Sequence, residues 1–522
     1  MFVKSLIVTF NFILSVVFFS SCVSSSQEST DKPIPLDELT IAEIHQAYTQ
    51  GIYNSQDLVD AYIKAIEEKN GSINAITIVN PEAMAIAEFL DLEYARTKKL
   101  RPLHGIPIIV KDNINTVGLP TTAGASALKD IIPEQNAFII DRFVDAGAIV
   151  LAKSNMAEWA FSPMHTTSTL GGTTRNPYNL DFVPAGSSGG TAAAIASNIG
   201  VGGLGTDTGN SIRGPSSHCA LVGFRTTIGL ISREGIVPLF LRNDVVGPMC
   251  RTVEDATRMM EVMVGIDTLD QVTFNSKDRT SENYIQYLQK DGLKGARIGV
   301  FRQVSDIEID EEVKHLFEQA LADMDALGAK IIDPVWVPDF ESLSEGNWCS
   351  VFRKDVEKFL QDYVKNDSIQ TLEDIIRIGT SAPISKQRLE AYASKEGRWG
   401  KGDSACLDAY HDEKRIAFRM AIESMMDSLK LDAIVYPSWN QKPARIAYFE
   451  EQYGGDNNQI ISPHTGQPAF TVPMGMSAGN LPAGLQFLGR MYDEPTLIKL
   501  SYAYEQGTKH RKTPVPQSLA QQ

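Results

Sequence analysis

Pro184-Ala185-Gly186-Ser187-Ser188-Gly189-Gly190-Thr191, then an alanine-rich run, then Gly205-Thr206-Asp207-Thr208-Gly209-Asn210-Ser211-Ile212-Arg213-Gly214-Pro215 form the densest compositional anomaly in the chain. Glycine-rich turns leave backbone N–H groups open, where they can hold a phosphate or a developing oxyanion. By composition alone such segments are ordinary tight turns, so their companions must decide the chemistry. No GxxxxGK[ST] sequence is present, which excludes a phosphate loop of that kind. Gly186 to Gly190 fits the GxSxG pattern of a nucleophile elbow, but that arrangement also needs an acid and then a histidine downstream. His464 and His510 are available, and neither has a telling neighbourhood. The SxxK pairs Ser126–Lys129 and Ser29–Lys32 lack the companion motifs of penicillin-recognising enzymes and read as chance.

Outward from this stretch, short apolar runs alternate with amphipathic ones. Strands are expected at Ile106 to Val110, Ala148 to Ala152, Ile298 to Phe301, Leu431 to Tyr436 and Ala469 to Val472. Helices are expected from a Thr40–Glu43 capping box to Gly51, and from a Ser55 cap to Gly71. Two more span Asn136 to Ala146 and Thr252 to Val264. This alternation predicts an α/β fold around a largely buried sheet. The polar stretch 335–410, carrying Trp348, Phe352, Arg353, Tyr392 and Trp399, reads either as an insertion shaping a pocket or as a helical surface layer.

The 522 residues carry 43% hydrophobic and 21% charged side chains, the profile of a globular enzyme. Length alone allows several domains, but no internal linker or repeat is visible, so residues 36–515 are read as a single domain. The net charge of −16 and the lack of a basic run count against a nucleic-acid partner. At the N-terminus Lys4 precedes the apolar stretch Leu6 to Phe19, which has the length of a signal-peptide core rather than of a membrane span. It ends in Ser20-Ser21-Cys22, which resembles a bacterial lipoprotein cleavage site. Residues 1–21 are therefore read as a lipoprotein-type signal peptide and 22–35 as a flexible tether. Cys22 would carry the lipid, so that the exported protein is held at the periplasm or outer membrane only through this anchor. A conventional signal peptide cut nearby is the alternative. Cys219, Cys250, Cys349 and Cys406 show no metal spacing and are read as buried thiols, with one disulfide allowed and its pairing open.

Ser187 and Ser211 stand 24 positions apart, and Lys111 precedes Ser211 by 100 positions within Leu103-His104-Gly105-Ile106-Pro107-Ile108-Ile109-Val110-Lys111-Asp112-Asn113. On these three features the chain resembles the amidase signature family. Similarity continues through residues 171–175, 229–233, 247–256, 468–475 and 481–490 and covers about 36 to 512. The resemblance implies an α/β/α sandwich with a central mixed β-sheet and a Ser–Ser–Lys triad that needs neither metal nor cofactor. Carried over, Ser211 is the nucleophile, Ser187 the bridging hydroxyl after a cis Gly186–Ser187 peptide, and Lys111 the base. The N–H groups of Thr208, Gly209, Asn210 and Ser211 form the oxyanion hole, with Ser188, Asp207 and Arg213 in support. Asn210 stands where many relatives have glycine, and asparagine tolerates left-handed backbone angles; Ala185 also replaces a common glycine.

The residue types suit acyl transfer. A serine hydroxyl attacks only when a base takes its proton, and lysine is a base only when desolvation keeps it neutral. The function implied is hydrolysis of a carboxamide through an acyl-enzyme, on a small-molecule or peptide amide, in character nearest to bacterial peptide amidases. Two alternatives stand beside it: the glutaminase component of a transfer-RNA-dependent amidotransferase, and a non-catalytic envelope lipoprotein. The export signal counts against the first, and the intact Lys–Ser–Ser set against the second.

Overall fold

A computed structural model describes residues 33–394 and 406–515. The expected leader, most of the tether, Cys22 and Trp399 lie outside the described residues. Thr40 opens the first helix, α1 (Ile41–Gln50), with a reciprocal box: Glu43 N–H donates to the Thr40 hydroxyl and the Glu43 carboxylate accepts from Thr40 N–H. Gly51, at φ 66, ends it. For α2 (Ser55–Ile73) the cap is Asn54, not Ser55, because the Asn54 side chain and Asp57 satisfy each other's N–H groups. The helix also runs through Gly71 to a left-handed Asn74.

Thirteen strands follow in chain order among the described residues. They are β1 (Ile76–Val79), β2 (Pro107–Lys111), β3 (Ile149–Ser154), β4 (Thr167–Ser168), β5 (Gly172–Thr173), β6 (Gly202–Asp207) and β7 (Val222–Arg225). The remainder are β8 (Val245–Cys250), β9 (Arg297–Val300), β10 (Lys330–Ile332), β11 (Ala433–Pro437), β12 (Ala469–Ser477) and β13 (Leu481–Leu488). β4 and β5 form a small ribbon, and the other eleven make one mixed sheet in the order β1-β3-β2-β6-β8-β7-β12-β13-β11-β9-β10. Helices flank it, giving the expected α/β/α sandwich. β2, β3, β6, β8 and β11 are buried along their whole length, which is why the apolar runs in β2, β3 and β11 show no alternation.

The pairing fixes where chemistry can sit. β2 and β6 are parallel, while β8 pairs antiparallel with both β6 and β7. The carboxyl ends of β2, β6 and β7 therefore share one edge of the sheet, joined there by the start of β8. Crevices outside strand carboxyl ends are where open α/β sheets bind ligands.

The glycine-rich helix α3 (Gly189–Ala196) is buried throughout. A Cβ on Gly190 would lie 2.1 Å from the Asn155 backbone carbonyl oxygen. Gly190→Ala is thus expected to cost upwards of about 2 kcal/mol through overpacking against rigid backbone, read as a lowered midpoint in urea unfolding; an unchanged midpoint would contradict this packing.

The described part of 335–410 carries helices at Phe340–Ser344, Phe352–Phe359, Leu372–Ile378 and Pro383–Ala393. Phe352 and Tyr392 pack with Trp159, Phe161 and Phe240 in a separate apolar cluster. Trp348 reaches inward to Gly209, so the stretch is both a helical layer and a wall of the site. Cys349 and Cys406, half-buried, form a disulfide with Cα atoms 5.9 Å apart, whereas Cys219 and Cys250 are buried thiols. The one disulfide that the sequence allowed is this pair, and the reading as buried thiols holds for the other two.

Candidate active site

Lys111 ends β2 with no solvent exposure. Its Nζ lies 2.8 Å from Ser187 Oγ and 2.7 Å from Thr206 Oγ1, near the end of the neighbouring parallel strand β6. Asn113 Nδ2 donates to the same Thr206 hydroxyl at 3.1 Å. Burial, only partly opposed by Asp207 and Asp244, lowers the Lys111 pKa to about 7. A substantial neutral fraction near neutral pH follows. A second lysine at this edge, Lys153, is equally buried, but its Nζ is engaged by Ile114 O at 2.6 Å, Thr121 Oγ1 at 3.0 Å and Asp112 at 3.6 Å. Only Lys111 faces a serine.

Ser187 is buried and follows a cis Gly186–Ser187 peptide. Ser188, next to it, donates to Thr206 O at 3.2 Å and ties the α3 entrance to β6. Ser211 stands in the turn before α4 (Arg213–His218) and is 5% exposed. Its hydroxyl is directed to Asn210 Oδ1 at 3.3 Å, and among the described residues no hydrogen bond joins it to Ser187. The structure brings Lys111 and Ser187 into contact, but leaves the link between the two serines open in this conformation.

Among the described residues no protein acceptor takes the backbone N–H groups of Thr208, Gly209, Asn210 and Ser211. The next two do have one, since Ile212 and Arg213 N–H donate to Asp207 Oδ2 at 3.2 and 3.4 Å. Asp207 also takes Arg213 Nε at 3.1 Å and Arg225 Nη1 at 2.9 Å. Burial would raise the Asp207 pKa, but the two guanidinium charges outweigh it and hold it at about 2. Arg213 then donates to Gly209 O at 2.7 Å, fixing the loop from behind. Asp244 braces its start by accepting from the Thr208 hydroxyl at 2.5 Å.

Removing Asp207 strands two buried guanidinium groups, so Asp207→Ala is expected to lose about 3–5 kcal/mol of stability, measured by chemical unfolding; a loss below about 1 kcal/mol would show the network to be dispensable. The carboxylate's contribution is present above the unfolded-state pKa near ~4 and is lost as pH falls toward the folded value of about 2.

Left-handed geometry falls at Ala185 (φ 60), one of the two glycine-replacing positions, and not at Asn210. Asn210 instead donates to Pro163 O at 3.2 Å. Thr206, Asn113, Arg225 and Asp244 are site residues that sequence reasoning passed over. Thr206 lies two residues beyond Leu204, the partner of Val110, and so comes to the end of β6 beside Lys111. His510 is hydrogen-bonded to Asp323 at 2.8 Å and is no partner for Ser188, the serine at the centre of the GxSxG pattern. Among the described residues no group of three His, Cys, Asp or Glu side chains could hold a metal ion.

A neutralisable lysine against a serine, beside free loop amides at a sheet's carboxyl edge, defines a hydrolytic enzyme of the α/β class. The family model described as Amidase matches residues 57–498. An Arabidopsis thaliana protein named as a probable amidase is 32% identical over 96% of both chains. A glutamyl-tRNA(Gln) amidotransferase component from Caldanaerobacter subterraneus is 32% identical over 92% of this chain and 98% of its own. The crystal structure of native peptide amidase from Stenotrophomonas maltophilia superposes with a TM-score of 0.80 at 31% identity, over 93% of this chain and all of that one. The chain belongs to the amidase family and is an amidase, cleaving amide carbon–nitrogen bonds.

Proposed function

We propose that this protein releases ammonia from the carboxamide of a peptide or similarly small amide, with Ser211 as nucleophile, Ser187 as proton carrier and Lys111 as base. The observation that carries this reading is the 2.8 Å approach of the buried Lys111 Nζ to Ser187 Oγ. A rotation of the Ser211 side chain away from Asn210 turns its hydroxyl to the relay. Ser211 Oγ then adds to the carbonyl carbon, its proton moves to Ser187 Oγ, and the Ser187 proton moves to Lys111 Nζ. The oxyanion forms against the free N–H groups of residues 208–211, each worth a few kcal/mol to the transition state. On collapse the relay runs in reverse: the amide nitrogen takes a proton and leaves, and an ester of Ser211 remains. Water activated by the same relay hydrolyses that ester.

The peptide amidase likeness, with one neighbour solved in complex with the competitive inhibitor chymostatin, supports a peptide amide as substrate. The amidotransferase relatives support glutamine as the second reading. An assay of ammonia release from a dipeptide amide, an anilide and glutamine separates the two. Turnover of the dipeptide amide, abolished in Ser211→Ala, is expected; turnover confined to glutamine would move the protein to the second reading.

The proposal extends to the N-terminus, where Cys22 carries lipid after cleavage of residues 1–21, 22–35 act as the tether, and 36–515 are the catalytic domain. The Cys349–Cys406 disulfide supports export, since such bonds persist in oxidising compartments. Among the described residues no helix is long and apolar enough to cross a membrane. The wild type should partition into the detergent phase and Cys22→Ala into the aqueous phase; two aqueous proteins would remove the anchor.

A further inference from the structure

A cavity of about 910 Å³ opens beside the oxyanion loop. Two of its lining residues touch that loop: a Cβ on Gly209 would lie 3.0 Å from the Trp348 ring and 3.3 Å from the Gln459 side chain. Trp348 and Gln459 thus form the wall shared by the loop and this space.

The lining is unbalanced in charge. Asp306, Asp339, Glu341 and Glu345 line it, and its one cationic lining residue, Arg302, is committed elsewhere. Arg302 pairs with Asp333 at 2.6 Å and Glu318 at 2.7 Å, and reaches Asp306 itself at 3.4 Å. Lys414 bonds the backbone carbonyl of Glu345, and behind His464 Arg415 is held by the carbonyls of His464 and Pro463 and Arg242 by Asp412 and the carbonyl of Asn347. Among the described residues no basic side chain pairs with Asp339, Glu341 or Glu345. The four carboxylates are exposed, and a cluster of one sign along a cavity raises the local concentration of cations. Trp336 and Trp348 supply aromatic faces, which attract ammonium and guanidinium groups.

An independent observation comes from the inner end of the cavity. His464 lines it, is 2% exposed, and its Nδ1 has no hydrogen-bond partner. A buried polar atom left without a partner calls for an explanation, and on a cavity wall a bound ligand atom supplies one. Burial, with Arg415, Arg242 and Arg225 adding to it, pushes the His464 pKa down to about 3, so the ring adds no positive charge of its own.

We propose that this cavity receives a positively charged group on the acyl side of the substrate, so that the enzyme selects cationic amides over neutral ones of equal size. The inference rests on reading residues 208–211 as the oxyanion hole.

The test compares kcat/KM for N-acetyl-lysine amide and N-acetyl-norleucine amide, which share a leaving group and differ by one ammonium. At low ionic strength the wild type should favour the lysine amide about tenfold or more, as several partly exposed charge pairs add. The ratio should fall toward one at about 0.5 M salt, where screening is strong, and likewise in the double variant Glu341→Gln, Glu345→Gln. Glu68→Gln, on the exposed face of α2, should leave it unchanged. A wild-type ratio of one or less overturns the proposal, as does a ratio that the double variant leaves intact. Turnover of an anilide but of neither amide overturns it too. In each of these cases activity that still disappears in Ser211→Ala leaves the catalytic reading standing. Activity that survives Ser211→Ala removes that reading and the cavity proposal with it.

Discussion

Ser211→Ala is expected to lower kcat/KM for amide hydrolysis by roughly 10⁴- to 10⁶-fold, the range seen when a hydrolase loses its nucleophile. The argument is stoichiometric. Without the Ser211 oxygen no ester can form, and what survives is attack by water on a substrate held against the loop amides. The fold should not suffer. The Ser211 hydroxyl makes one 3.3 Å hydrogen bond, to its neighbour Asn210, and the loop is held by Asp207 and Arg213 instead. A melting temperature within a few degrees of the wild type, together with the rate loss, separates chemistry from stability. A tenfold loss or less would mean that another group attacks.

Lys111→Met is expected to cost about 10³- to 10⁴-fold, the upper range for removal of a general base together with its relay. Methionine keeps most of the volume in a site with no solvent exposure, so packing is largely retained. Lys111→Arg should be no better, because a guanidinium does not give up its proton in a protein. The pH profile carries the same information in the wild type. With the Lys111 pKa lowered to about 7, the ammonium form predominates below that pH and cannot accept a proton. Activity should therefore fall on acidification through about pH 7 and level off above it. A profile flat from pH 6 to 9, or one rising only near pH 10, would show that Lys111 is not the titrating base.

The parts of this arrangement that sequence made legible are those with a rigid chemical signature. Three positions at fixed spacing, Lys111, Ser187 and Ser211, pointed to the family, and β2, β3, β9 and β11 announced themselves as continuous apolar runs. β6 did not, because Gly202-Gly203-Leu204-Gly205-Thr206-Asp207 has strand geometry with almost no strand propensity. Its glycines are required by neighbours: a Cβ on Gly203 would meet Thr191 at 2.4 Å and one on Gly205 would meet Met249 at 2.6 Å. Thr206, which touches Lys111, was hidden inside that strand for the same reason. Arg225 and Asp244 were hidden by distance along the chain, since only the β6–β8–β7 pairing brings them to Asp207 and Thr208. The Asn54 cap was passed over because Ser55 is itself a good capping residue, and the choice depended on which side chain Asp57 answered.

The decisive measurement for Ser211 is peptide mapping by mass spectrometry of enzyme acid-quenched during turnover of an activated anilide. The acyl group of the substrate should appear as a mass increment on the peptide containing Ser211, and be absent from that peptide in Ser211→Ala. An increment on Ser187 instead, or turnover continuing in Ser211→Ala with no acylated peptide, would contradict its role as nucleophile.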